Sequence, residues 1–361
     1  MLPWKWRGEG VGKVRFMKVL LTGAFGNIGG HTLAALLDEG HQVRCFDIGS
    51  RGNHRAAKRL ARRHGDRIEV AWGDLRSRDD VARAVAGQEA IVHLAFIIPK
   101  QSCVAGDIDA DPEWAREINV EGTRHLIDEA KRLPVPPRLL FASSVAVYGL
   151  TKHLFPPRRA DDQVNPVDAY GRHKVACEEL VRSSGLPWTI LRLGAAIPMR
   201  ITNLQAMFDV PLDTRMEFVD PRDAARAFAR AVGESSAIGK ILLVGGGARC
   251  QFVYGDMVRR ILEATGVGML PAEAYTTDPF YTDWLDTGPS QALLHYQRHD
   301  LDDYTRAMRR KLGLGWVLAR VFQPLVQRGL LRQSPHWQQA RAAARSRSVI
   351  PSSTPHPRTV E

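Results

Sequence analysis

Cysteine is scarce and scattered. Only four occur in 361 residues, at positions 45, 103, 177 and 250, with no C-x-x-C pair. That spacing excludes a zinc ribbon, leaves no metal site to expect, and suggests reduced thiols in a cytoplasm. Long apolar runs are also missing: nothing approaches the roughly 18 uncharged apolar residues that span a bilayer. The N-terminal stretch MLPWKWRGEGVGKVRF is basic but has no apolar segment of the secretory kind. Met17 opens MKVLLTG so cleanly that residues 1–16 read as an extension ahead of the fold. Acid is lacking at one end only. From Arg306 onward eleven Lys/Arg face a single acid, Glu361, so this tail carries nearly all of the net charge of +11. The body is electrically balanced, and the tail's arginines are not interleaved with a recognition fold, so no nucleic-acid partner is expected.

What is present is the composition of an ordinary globular protein, 44% hydrophobic and 25% charged. From Met17 to about residue 195, strand-like apolar runs alternate with helical patterns: KVLLTG, then GGHTLAALLDEG, then QVRCFD; RLLFASS, then AYGRHKVACEELVRSSG, then WTILRLG. Such alternation predicts βαβ units, a parallel sheet and helices on both faces, an α/β doubly wound fold. Beyond 195 the pattern loosens into a smaller lobe, 196–305, interleaved with the core. A helical stripe follows at 317, 318, 321, 322, 325 and 326, with Arg320 and Arg328 off it and Pro324 expected to kink it. The last 20 or so residues are Ser/Pro/Arg-rich and expected to be disordered.

Gly23, Gly26 and Gly29 follow the first strand and open the first helix. In that setting the first glycine permits a tight turn, the second lets a pyrophosphate approach the main chain, and the third lets helix and strand pack closely. Asp47 ends the second strand, where a carboxylate accepts hydrogen bonds from an adenosine ribose and repels a 2′-phosphate. NAD is therefore expected rather than NADP, although Arg44 and Arg51 stand close enough to accommodate that phosphate. Tyr170 and Lys174 lie four apart on a helix and project from one face. A phenol of ordinary pKa about 10 is a poor base at neutral pH. A neighbouring ammonium stabilises the phenolate and lowers that value. Ser144, at the end of the preceding strand, then holds a substrate oxygen while hydride passes to or from the cofactor.

These motifs, in this order, resemble the extended short-chain dehydrogenase/reductases, also called the NAD-dependent epimerase/dehydratase family. The resemblance covers residues 17–305 and rests on TGAFGNIG, Asp47, GDL at 73–75, HLAF at 93–96, NVEGT at 119–123, SSVAVYG and Tyr170-x-x-x-Lys174, with FVDPRDAARA similar to a later family segment. It implies a Rossmann-type domain over 17–195 and a C-terminal substrate lobe. It also implies that Tyr170 is the acid/base, that Lys174 holds the nicotinamide ribose and tunes the tyrosine, and that Ser144 is the third catalytic residue. Asn119 matches a helix asparagine that organises the site. The cofactor contacts implied are Thr22, Gly23, Phe25, Gly26, Asn27, Ile28, Gly29, Asp47, Leu94, Ala95, Tyr170 and Lys174, with Asp74 and Leu75 flanking the adenine. A homodimer is implied by the likeness alone.

Two departures narrow the substrate. Dehydratases of the family carry an acidic pair just after the catalytic hydroxyl, whereas Ser144 precedes Val145 and Ala146. The segment between LRLG (191–194) and FVD (218–220) is short, leaving less surface to clasp a nucleotide. The expectation is an NAD-dependent oxidoreductase or epimerase acting at a secondary alcohol or ketone of a small or apolar substrate. Alternatives are a sugar-nucleotide 4-epimerase and a redox-sensing protein that binds the dinucleotide without turnover. Cys103, in the loop 97–114, is a further candidate acid/base, and His173 is expected to face away from the cofactor. Residues 306–361 form a basic helical or disordered tail suited to weak membrane-surface contact.

Overall fold

The computed structural model describes residues 16–98, 111–199 and 205–348. Cys103 and the middle of its loop, the N-terminal extension before Phe16, and the end of the tail lie outside the described residues. The chain divides into two compact units. The first comprises residues up to 199 with 215–252 and 281–302; the second comprises 200–214, 253–280 and 303–361.

In the first unit strand and helix alternate as the apolar runs predict: β1 (Lys18–Thr22), α1 (Asn27–Asp38), β2 (Gln42–Asp47), α2 (Arg51–His64), β3 (Ile68–Trp72), α3 (Arg78–Val85) and β4 (Ala90–His93). A helix in three parts follows: α4 (Pro112–Arg116), a π turn at Glu117–Glu121, and α5 (Gly122–Lys131). Then come β5 (Arg138–Ser144), α6 (Ala169–Ser183), β6 (Trp188–Leu193), β7 (Arg215–Glu217), α7 (Pro221–Gly233), β8 (Lys240–Val244), β9 (Gln251–Val253) and α9 (Gly288–Leu294), with α8 (Tyr254–Ala264) belonging to the second unit. Seven strands form one parallel sheet in the order β3-β2-β1-β4-β5-β6-β8, while β7 and β9 make a separate pair. This is the Rossmann-type doubly wound fold.

Alternate residues of each central strand enter opposite cores, as the pleat requires. Val19, Leu21, Val43, Cys45, Val92 and Leu191 pack under α1 and α7 with Leu33, Leu36 and Phe228. Leu20, Ile91, Leu139, Phe141 and Ile190 pack on the other face with Leu126, Cys177 and Val181 of α5 and α6. The strand order reverses between β1 and β4, which opens a crevice beyond the carboxyl ends of those strands. Thr22 and His93 are register partners at that end.

The second unit contains α8 and, after α10 (Leu301–Leu312), the helices α11 (Gly315–Val321), α12 (Gln323–Leu331) and α13 (Pro335–Ser348). Pro324 does not kink a helix. It sits in the first turn of α12, after a break at Phe322, where a missing N–H leaves no intrahelical bond unmade. No helix of the described residues is long and apolar enough to cross a membrane.

Candidate active site

The glycine loop lies at the switch point. Gly23 adopts φ +67°, and a Cβ there would fall 2.8 Å from the amide nitrogen of Ala95. A Cβ on Gly29 would meet the carbonyl oxygen of Gly23 at 2.0 Å. Both positions therefore require glycine. Gly26 caps α1 with no side-chain hydrogen bond, and the first turn of that helix carries no acid. Gly26, Asn27 and Gly30 are exposed, so the helix opens onto solvent with amide donors and a positive dipole end available to an anion. Gly29→Ala is expected to abolish NAD binding, measured by fluorescence titration, while Gly30→Ala, with nothing within 4 Å of the added carbon, should retain it.

Asp47 turns back onto this loop. Its carboxylate accepts the Phe25 amide at 2.9 Å, the Ile48 amide at 2.9 Å and the Asn53 Nδ2 at 3.2 Å. Burial raises its pKa, and the two backbone donors oppose that rise. Arg44 is not turned toward this site. Its Nε pairs with Glu69 at 2.8 Å, and its Nη1 donates at 2.8 Å to the carbonyls of Ala84 and Ala86 at the end of α3. Beside Phe25 stands an aromatic group that sequence reasoning missed. Trp72 stacks on His54 at 4.3 Å and meets Phe25 at 5.5 Å. The tryptophan directly before GDL was its only signal. Asp74 pairs with Arg76 at 2.7 Å, which holds its carboxyl below the usual range. Leu75 is buried against Gly122.

A chain of hydrogen bonds runs from the loop into the interior. Thr22 Oγ1 accepts the amides of Leu94 (3.2 Å) and Ala95 (3.1 Å), and lies 2.7 Å from His93 Nδ1. His93 Nε2 is 2.9 Å from Thr123 Oγ1, whose own proton goes to the Asn119 carbonyl at 2.5 Å. With that proton committed, His93 must donate from Nε2 and accept from Thr22 at Nδ1. Burial pushes His93 down to about 3, with Lys174 as a lesser cause, so the ring is neutral. HLAF is legible in the sequence as a motif, but the role of its histidine comes from these distant partners. Asn119 sits inside the π turn, and its side chain clamps Ile97 at both ends: Oδ1 accepts the Ile97 amide at 2.7 Å and Nδ2 donates to its carbonyl at 3.1 Å. His173 lies against this asparagine, Nδ1 to Nδ2 3.4 Å.

Ser144 ends β5, and its hydroxyl accepts the Ala146 amide at 3.2 Å. Tyr170 opens α6, capped by Asp168, and the Ser144 hydroxyl acts to favour its phenolate. One turn on, Lys174 is buried. Its Nζ donates to the Ala142 carbonyl at 2.6 Å, lies 3.3 Å above the Phe96 ring and is 5.6 Å from the Tyr170 ring centre. Tyr170, Lys174 and Ser144 thus converge at the carboxyl end of β5, with Phe96 edge-on to Tyr170 at 5.8 Å. Burial sets the charge state: Tyr170 is pushed up to about 12, and Lys174 down to about 7.

The lysine gives a stability prediction. Its native pKa of about 7 lies below the ordinary 10.5, so between those values the unfolded chain binds more protons. Stability of the cofactor-free protein should therefore rise with pH from about 7 to about 10.5 through this group. Denaturation midpoints of the native chain minus those of Lys174→Met should show that slope; a flat difference would contradict it.

Comparison with known proteins now bears on this geometry. The profile described as the NAD dependent epimerase/dehydratase family matches residues 19–245, more than half the chain. The chain belongs to this family. It is 32% identical over 192 residues to Sterol demethylase protein B of Methylococcus capsulatus, covering 50% of this chain and 52% of that protein. Over 183 residues it is 29% identical to UDP-glucose 4-epimerase 2 of Arabidopsis thaliana, covering 48% of this chain and 50% of that one. The family member thus spans about half the length of these curated relatives. A crystal structure of UDP-glucose-4-epimerase from Stenotrophomonas maltophila, with bound NAD and formylated UDP-arabinopyranose, matches at TM-score 0.67 and 22% identity, covering 83% of this chain and 99% of that one. At that identity the likeness is one of fold, and it agrees with the doubly wound sheet. The family resemblance carried by the sequence motifs is borne out.

Proposed function

We propose that this family member binds NAD and catalyses reversible hydride transfer at a secondary alcohol or ketone of a small or apolar substrate. The observation that carries the reading is Lys174 buried one helical turn from Tyr170, its Nζ 5.6 Å from the phenol ring centre and bonded to the Ala142 carbonyl of the strand that ends in Ser144. The residues suit the cofactor: an uncapped helix start and a loop that excludes Cβ at Gly23 and Gly29 for the diphosphate, and Asp47 for the adenosine ribose. Arg44 is engaged by Glu69 and α3, which supports NAD over NADP.

NAD, when bound, supplies the hydride acceptor and a positive charge beside the phenol. The protein supplies position and proton transfer. Ser144 Oγ holds the substrate oxygen, and Tyr170 Oη takes the hydroxyl proton as the carbon is oxidised, or returns it on reduction. With Tyr170 raised to about 12 by burial, the phenolate needs a positive neighbour. Lys174 supplies it in its charged form, holding the cofactor ribose and lowering the phenol's pKa. The Thr22–His93–Thr123–Asn119 chain and the clamp on Ile97 fix the strand end on which these groups depend.

Likeness to Sterol demethylase protein B supports an apolar alcohol, as does the short segment after Gly194. Likeness to UDP-glucose 4-epimerases supports a second reading, a sugar-nucleotide 4-epimerase that oxidises its substrate and returns the hydride. A screen of alicyclic and aliphatic secondary alcohols beside UDP-sugars, read by NADH absorbance and by product analysis, separates the two. Net NADH from an apolar alcohol supports dehydrogenation; a UDP-sugar epimer formed without net NADH supports the second.

A further inference from the structure

The C-terminal helices of the second unit turn an apolar side to solvent. Across α11 and α12, positions 316, 323, 327 and 330, continuing to 334, lie on the inward side. A Cβ on Gly266 would meet the Trp316 carbonyl at 2.5 Å and the Arg320 amide nitrogen at 3.0 Å. One on Gly268 would meet Gln323 Nε2 at 2.5 Å. Gln327 donates to the Val267 carbonyl at 2.9 Å, and buried Ser334 donates to that of Ala274 at 2.6 Å. The inner side mixes Trp316, Val326 and Leu330 with the polar Gln323, Gln327 and Ser334. The outer stripe is apolar: Leu314 is 81% exposed, Leu318 57%, Val321 66%, Phe322 51% and Leu325 66%. A solvated helix pair normally shows the opposite arrangement. A contiguous apolar face of this kind marks an interaction surface.

Charge identifies the occupant. Arg306, Arg309, Arg310 and Lys311 lie in α10 just before this stripe, Arg328 lies in α12 and Arg332 caps it, and no Asp or Glu occurs between Asp303 and Glu361. Arg306 pairs with Asp303, and Arg309 lies over the Trp316 ring at 3.6 Å. A second copy seated face to face would bring the same cations together with no acid between them. A nucleic acid would not require five exposed aliphatic and aromatic side chains. Apolar residues along one side, arginines beside them and no acid match a bilayer interface rich in anionic headgroups, with the side chains entering the acyl boundary and the guanidinium groups at the phosphates. We infer that the outer stripe of α11 and α12 seats the second unit on an anionic lipid surface. This placement does not depend on the reaction assigned to the first unit. It shifts the expected contact from a basic tail to a defined apolar face.

The test uses the full chain and needs no turnover. Flotation with phosphatidylcholine vesicles containing phosphatidylglycerol is compared with pure phosphatidylcholine, for the native chain and for a variant carrying Leu314→Ser, Leu318→Ser, Val321→Ser and Leu325→Ser. All four sites are exposed, and an unchanged circular dichroism spectrum and NAD titration confirm the fold. Preferential flotation of the native chain with anionic vesicles, reduced about tenfold in the variant, is the expected result. Equal flotation of the two chains would reduce the contact to charge alone and overturn the apolar seat, as would no flotation of either. Sedimentation that finds a native dimer split by the four substitutions would also overturn it, by showing a second copy on this face.

Discussion

Replacing Tyr170 with Phe is expected to slow hydride transfer by about 100- to 10,000-fold, the usual worth of a positioned acid/base, while NAD affinity and stability stay near native. The phenyl ring fills the same space and keeps its edge contact with Phe96, so what is lost is the hydroxyl alone. The effect should fall on kcat and kcat/KM alike, because the proton moves only as the transition state forms. Single-turnover rates of NADH formation, measured beside a cofactor titration, make the check. Full retention of activity in Tyr170→Phe would instead favour a protein that senses the dinucleotide without using the phenol.

The second large effect is expected beneath the site, in a buried ion pair no motif announces. Glu178 on α6 meets Arg192 on β6 through two bonds of 2.9 and 2.7 Å, and accepts the Ser143 hydroxyl at 2.5 Å. Arg192 also donates to the Tyr148 hydroxyl at 2.8 Å and to the Ala160 carbonyl at 3.0 Å. All four side chains are buried. Glu178→Ala strands the guanidinium and should cost about 3–5 kcal/mol of stability. Tyr148→Phe, which removes the bond from Arg192 and the hydroxyl's own bond to the Arg159 carbonyl but leaves the ion pair, should cost about 2 kcal/mol. Urea denaturation of the two variants tests the ranking; equal losses would show that the pair contributes no more than the two bonds of the Tyr148 hydroxyl. Ser143 adjoins Ser144, so partial folding of Glu178→Ala should also displace the Ser144 hydroxyl.

Much of the first unit is legible in the sequence because its signals are local. An apolar run of five or six residues, a glycine loop and an amphipathic helix each declare themselves within one window, and their alternation dictates a parallel sheet. Tyr170 and Lys174 are legible for the same reason: one turn of helix fixes their shared face. What escaped reading depends on contacts far apart in the chain. His93 gains its role from Thr22 and Thr123, 71 and 30 positions away. Trp72 acquires one from Phe25 and His54, and Arg44 is drawn to Glu69 across the β2–β3 pair. Periodicity located the stripe at 317–326, but a hydrophobic stripe carries no label for inside or outside. Only the exposure of Leu318, Val321, Phe322 and Leu325, beside a half-buried Val326, shows which way it faces.

The central claim is that a phenol and an ammonium one turn apart stand beside the reactive ring of a bound dinucleotide. A crystal structure of the NAD complex tests it most directly. The account predicts the diphosphate on the amides of Gly23–Gly29, the adenosine ribose on Asp47, Lys174 turned from the Ala142 carbonyl to the nicotinamide ribose, and the nicotinamide ring against Tyr170. A cofactor lying elsewhere, or a nicotinamide ring out of reach of the Tyr170 hydroxyl, would contradict it.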